Sequence, residues 1–198
     1  MPSRLTVMLM SLLFAAPVVL SWLWLVIVPV KVAMLCPEKC QCNTAGGHFI
    51  YCYGRSLNPL PLIHLTNVRI LSFFGNNITL LEMDSYVSLT ELESLDINAC
   101  RLKTIDLGAF NGPTPLTKLS IRHNKISEII PGTFENLNSL EYLNIEGNRI
   151  EHLDSDVFSG LFNLKHVDFS HNQMLYLHPD TKSPKLIFKL QFPPSNTH

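Results

Sequence analysis

One segment recurs five times at a fixed interval, and that interval restricts this chain more than any other feature. It runs Val68-x-x-Leu71-x-Phe73-x-x-Asn76-x-Ile78, then Leu92-x-x-Leu95-x-Ile97-x-x-Cys100-x-Leu102. The same pattern follows from Leu116 to Ile126, from Leu140 to Ile150 and from Leu164 to Met174, so that every start is evenly spaced from the one before. A second apolar register (Leu81, Ile105, Ile129, Leu153, Leu177) and an aromatic one (Tyr86, Phe110, Phe134, Phe158) stay in phase with the first. One such unit cannot hide all of its large apolar side chains, so units must stack against each other. The alternation at Leu143-Asn144-Ile145-Glu146 predicts a short strand with one buried face. Stacked in register, these strands make a parallel sheet at about 4.8 Å spacing. About 13 residues per unit are left for the far side, too few for a regular helix and two turns. Irregular or 3₁₀ segments are expected there, with the aromatic register closing the core.

The ninth position of each unit carries Asn76, Cys100, Asn124, Asn148 or Asn172. The chain leaves the strand there, and an amide that both donates and accepts can satisfy the turning backbone of neighbouring units as a ladder. Cys100 is a weaker hydrogen-bonding group that fits the same slot.

The core L-x-x-L-x-L-x-x-N-x-L at a 24-residue period resembles the leucine-rich repeat family, in its typical extracellular subclass, and is similar to Toll-type, Slit and chaoptin-like ectodomains. The resemblance covers roughly residues 36–180. It implies a solenoid with short parallel strands on a concave face and an irregular convex side. Cys36, Cys40, Cys42 and Cys52 directly precede the first repeat. Spacing alone allows three pairings. A zinc site is the rival use of four cysteines, but their spacing lacks the paired knuckles zinc prefers. The family's cysteine-rich N-terminal cap implies Cys36–Cys42 and Cys40–Cys52, with 49–53 as the edge strand beneath the first repeat. The resulting division is 1–35 leader, 36–67 cap, 68–180 five repeats and 181–198 a degenerate C-terminal tail.

In the leader 26 of 35 residues are apolar, and Arg4 is the only charge before a run from Leu5 to Val30. This layout predicts an apolar N-terminal helix, read as a cleaved signal peptide or as an uncleaved anchor at residues 5–30. Under both readings the repeats are exported, secreted or membrane-anchored on the outside. Asn77-Ile78-Thr79 is then a glycosylation sequon. At the other end, residues 186–192 read as a degenerate sixth strand, and no cysteine cap follows. That uncapped end is a candidate for self-association.

Fifteen Lys and Arg against 16 Asp and Glu give a formal charge of −1, which argues against nucleic acid as the main partner. The outward strand positions predict a concave binding face: Ile70, Ser72 and Phe74; Ser94, Asp96 and Asn98; Lys118, Ser120 and Arg122; Tyr142, Asn144 and Glu146; His166, Asp168 and Ser170. Arg122 and Tyr142 are its expected anchors, since Arg and Tyr are enriched at hot spots. The row His166, Asp168 and Ser170 invites a catalytic reading. Alternate residues of one strand lie about 6.5–7 Å apart, too far for a nucleophile and its base. No enzyme, metal or cofactor is expected. The sequence predicts an extracellular module that binds a protein or glycan ligand. The alternative is the N-terminal part of a Toll-type receptor ectodomain, which could not itself signal, because nothing after residue 180 reads as a second span.

Overall fold

The computed structural model describes residues 36, 40–43, 49–54, 67–174 and 187–189. The leader forms a unit separate from residues 36–198 and lies outside the described residues, as does Leu177. Among the described residues no helix is long and apolar enough to cross a membrane.

The principal sheet has the order β1-β2-β3-β5-β7-β8-β9-β10. The cap supplies β1 (Cys40–Asn43) and β2 (Phe49–Tyr53). The repeats supply β3 (Ile70–Phe74), β5 (Ser94–Asn98), β7 (Lys118–Ser120), β8 (Tyr142–Asn144) and β9 (His166–Asp168). The tail adds β10 (Ile187–Lys189). From β2 onward every pairing is parallel, and Leu71, Leu95, Leu119, Leu143 and Val167 face one another in a single row. All five are buried, as are Phe73, Ile97, Ile121, Ile145 and Phe169 two residues further on. The backbone repeats the same step: the amides of Glu93, Thr117, Glu141 and Lys165 each donate to the carbonyl at the matching position one repeat earlier, at 2.8, 2.9, 2.9 and 2.9 Å.

The far side is mostly turns, with one 3₁₀ helix at Ser155–Phe158. A small parallel pair, β4 (Leu80–Leu81) with β6 (Thr104–Ile105), also lies there. Leu81 and Ile105 of the second apolar register face each other across that pair, whose strands are two residues each. Tyr86, Phe110 and Phe134 stack at 6.2 and 5.9 Å between ring centroids. Phe158 lies tilted against Phe169 at 5.7 Å.

One detail differs from the sequence reading, and a second refines it. The strand at 49–53 is not the edge: β1 pairs antiparallel outside it, Cys40 opposite Cys52, with both residues joined by a disulfide. A strand tied covalently to its neighbour is held in register at the end of the stack. The sixth strand is present but arrives early. Phe188 pairs with Val167 and Lys189 with Asp168, a step three short of the full period.

Gly75, Ala99, His123, Gly147 and His171 all have positive φ, between 55° and 71°. The chain leaves every strand through the same left-handed residue, directly before the ladder position. Gly112, on the far side, is under a stricter constraint: at φ +107° an added Cβ would meet the Val87 Cα at 2.6 Å, whereas one at Gly75 meets nothing within 4 Å. Gly75→Ala therefore costs about 1–2 kcal/mol, the left-handed strain alone. Gly112→Ala costs more, because backbone must shift. Urea unfolding of the two variants checks this order.

Candidate functional site

The ladder carries the framework of the site. Asn124 Nδ2 donates to the carbonyls of Ile97 and Ile121 at 2.7 and 2.9 Å, and its Oδ1 accepts the amides of Cys100 and Leu102 at 2.9 and 3.0 Å. Asn148 donates to Ile121 and Ile145 and accepts from Ile126. Asn172 donates to Ile145 and Phe169 and accepts from Ile150. Asn76 donates to Cys52 at 2.8 Å, so the ladder reaches into the cap. Its Oδ1 is buried without a partner. By the pattern of Asn124, that oxygen would accept from residues 52 and 54, but there the chain is the strand β2 and Gly54 donates to the Phe74 carbonyl instead. Cys100 keeps the contact to the carbonyl 27 residues earlier, its single thiol proton lying between the carbonyls of Phe73 and Asn98, 2.9 and 3.3 Å from Sγ. Burial pushes this thiol up to about 11 against the opposing pull of the Asn76 and Gly75 backbone. The only cysteine outside a disulfide is thus a protonated structural donor.

Disulfides Cys36–Cys42 and Cys40–Cys52 close the cap, with Cα–Cα distances of 5.8 and 4.1 Å. Asn77, the sequon residue, is half-buried beside the ladder, and its Oδ1 accepts from Arg101 at 3.4 Å.

The face of the sheet turned away from the core is where the expected binding residues lie, and they divide into two groups. Lys118, Arg122, Tyr142 and His166 are exposed, and Asp96 and Glu146 half-exposed. Tyr142 and His166 stand side by side at 6.3 Å. Burial raises the Asp96 carboxyl against the counter-pull of Arg122 and Asn98. Asn98, Asn144 and Asp168, by contrast, are 7% exposed, and Ser72 and Ser170 are also buried. These five occupy positions expected to point outward but are buried. Asn98 Oδ1 accepts from Ser120 Oγ and the Arg122 amide at 2.8 and 3.0 Å, and Asn144 Oδ1 accepts from the Glu146 amide at 2.9 Å. Asp168 accepts from the Ser170 hydroxyl and amide and from Lys189 Nζ. Burial raises that carboxyl, but these bonds outweigh it and hold it low. Side chains this short bend back to satisfy the backbone where strands end, an outcome that alternation cannot reveal. The His166, Asp168 and Ser170 row accordingly pairs serine with aspartate, while the histidine ring lies beside Tyr142.

The cap adds residues that the sequence reading left out of the face. Phe49, Tyr51 and Tyr53 of β2 stand beside Ile70, Ser72 and Phe74 of β3. Their rings run in a row, at 6.5 and 6.0 Å between centroids. Tyr53 and Phe74 are 53% and 48% exposed. The alternation Phe49-Ile50-Tyr51-Cys52-Tyr53 carried this signal once 49–53 was a strand. Among the described residues no group of three or more His, Cys, Asp or Glu could hold a metal.

Residues 90–150 and 142–183 match the leucine-rich repeat family. No curated protein matches the chain in sequence. Among solved structures, the crystal structure of human 5T4 (Wnt-activated inhibitory factor 1, trophoblast glycoprotein) is similar with a TM-score of 0.50 at 17% identity, over 83% of this chain and 83% of that one. The TLR13–ssRNA13 complex is similar with a TM-score of 0.62 at 26% identity, over 77% of this chain but 22% of that one.

Two outcomes check the ladder. Asn124→Ala leaves the amides of Cys100 and Leu102 and the carbonyls of Ile97 and Ile121 short of partners, and lowers stability by at least about 2 kcal/mol in urea unfolding. In the native protein at pH 8 no thiol reacts with a disulfide reagent. One reacts after unfolding without reductant.

Proposed function

Starting from a chain that belongs to the leucine-rich repeat family, we propose that it is a non-enzymatic recognition module that binds a protein ligand outside the cell through the free face of its sheet. The observation that carries this reading is the composition of that face. At the cap end it presents Phe49, Tyr51, Tyr53, Ile70 and Phe74 in adjoining rows, with two of the rings about half exposed. Two and three repeats further on it presents Arg122 and Tyr142. Exposed aromatic residues and arginine on a rigid surface supply the contact area and the anchors that protein interfaces use. The strands hold these groups in fixed rows, so little ordering cost opposes binding.

Several features support the location. Two disulfides need an oxidising compartment. The apolar leader is an export signal in sequence, and the Asn77 sequon suits a secreted or anchored glycoprotein. The likeness to 5T4 shows the fold alone. A second reading, a piece of a Toll-type ectodomain, draws on the likeness to TLR13, of which the chain spans 22%. Further repeats in the complete transcript would decide for it.

The test is an avid multimer of the full chain applied to an array of extracellular proteins. Tyr53→Ala, Phe74→Ala, Arg122→Ala and Tyr142→Ala are then measured against the ligand found. The reading expects at least two of them to weaken binding about tenfold or more, with unchanged urea midpoints. Unchanged affinity in all four places the site elsewhere.

A further inference from the structure

The position after each ladder residue forms a second column, on the flank where the chain leaves the sheet. It reads Asn77, Arg101, Lys125, Arg149, Gln173. The three central members are all basic and all exposed. The backbone holds Lys125 and Arg149 in step, their amides donating to Leu102 and Ile126 of the preceding repeat at 2.7 and 2.8 Å, while Arg101 takes a left-handed φ of 66°. The ladder amides immediately before them, Asn124 and Asn148, fix the same spacing from inside. Three cations therefore stand at one register position of consecutive repeats, whose strands are about 4.8 Å apart. Among the described residues none of the three is in an ion pair; Arg69, Lys165 and Lys189 are, with Glu93, Glu141 and Asp168. Arg101 has only a long hydrogen bond to Asn77.

The neighbouring positions extend the character of the row. Lys103 follows Arg101 by two residues and His123 precedes Lys125 by two, both exposed. The nearby carboxylates are Glu128, three residues after Lys125, and Glu146 and Glu151, beside Arg149 at the C-terminal end. The positive stretch is thus strongest from Arg101 to Lys125. A protein of net charge −1 that keeps unpaired cations in single file has a local field that its total charge conceals.

We propose that this flank binds a linear polyanion, and that the polyanion is a sulfated glycosaminoglycan chain. A row of evenly spaced cations matches a polymer with anionic groups repeated along its length, and each contact releases a counterion. Residues 99–103, 123–127 and 147–151 contain no Phe, Tyr or Trp. A single-stranded nucleic acid would call for such rings to stack its bases. The polymer would lie on the flank and leave the sheet face free, so matrix attachment and ligand binding would use separate surfaces. Only the extracellular location is shared with the function proposed above, and the experiment does not depend on it.

The probe is a heparin octasaccharide, measured against the purified full chain at about 0.15 M salt and across a salt series. The triple variant Arg101→Gln, Lys125→Gln, Arg149→Gln is compared with Arg69→Gln, Lys165→Gln, Lys189→Gln, which removes the same charge from other places. The column variant loses about tenfold or more in affinity, and its slope of log affinity against log salt falls by roughly 2–3. The control triple changes little. No binding by the wild type overturns the proposal, and so does an equal loss in both triples, which would mean net charge alone. Single-stranded RNA bound as tightly as heparin, and lost with the column, would make the flank a nucleic-acid surface and overturn it too.

Discussion

Each coil of this chain can hide its leucines only against the coil before and after it. Leu95, Leu119 and Leu143 are fully buried, and the row they form crosses three separate repeats. No unit has a core of its own, so cohesion passes from neighbour to neighbour. The hydrophobic contacts alone would permit sliding. Register is set by the amides of Asn124, Asn148 and Asn172, each of which joins its own turn to the carbonyl 27 residues earlier. A slip of one residue would break every one of these buried bonds, and a buried amide left unpaired is costly.

The ladder also shows what its ends require. At Cys100 the donor half of the asparagine function is retained and the second acceptor is lost. At Asn76 the donor half reaches into the cap and the acceptor is orphaned. The Tyr86 hydroxyl is a further buried group without a partner, and burial, with the Cys100 thiol nearby, drives its acidity far down. All three irregularities fall in the first two repeats, where the periodic stack meets a cap of different chain path. The cystine bridges supply there the fixed geometry that the ladder supplies elsewhere.

The stack was legible in the sequence because one period held in three registers at once has few other solutions. Which outward residues are free to bind was not. Asn98, Asn144 and Asp168 occupy outward strand positions just as Lys118 and Tyr142 do, yet they are spent on strand ends. Alternation gives the side of a sheet a residue lies on, but not whether a short polar side chain turns back to its own backbone. Phe49, Tyr51 and Tyr53 were missed for a related reason: the cap lies outside the period, so its strand joined the face only through pairing with β3. The early arrival of β10 is likewise invisible to a rule that counts in equal steps.

Two surfaces follow from one device. The strands set the rows of the sheet face, and the ladder sets the file of cations beside it, so damage to the ladder would disturb both. The most direct measurement is native-state amide hydrogen exchange at Leu102, Ile126 and Ile150, whose N–H groups point at asparagine Oδ1 atoms of the next repeat. The account predicts that all three exchange only with global unfolding, among the slowest amides in the chain. Exchange at rates near those of an unfolded chain, in a protein otherwise folded, would contradict it.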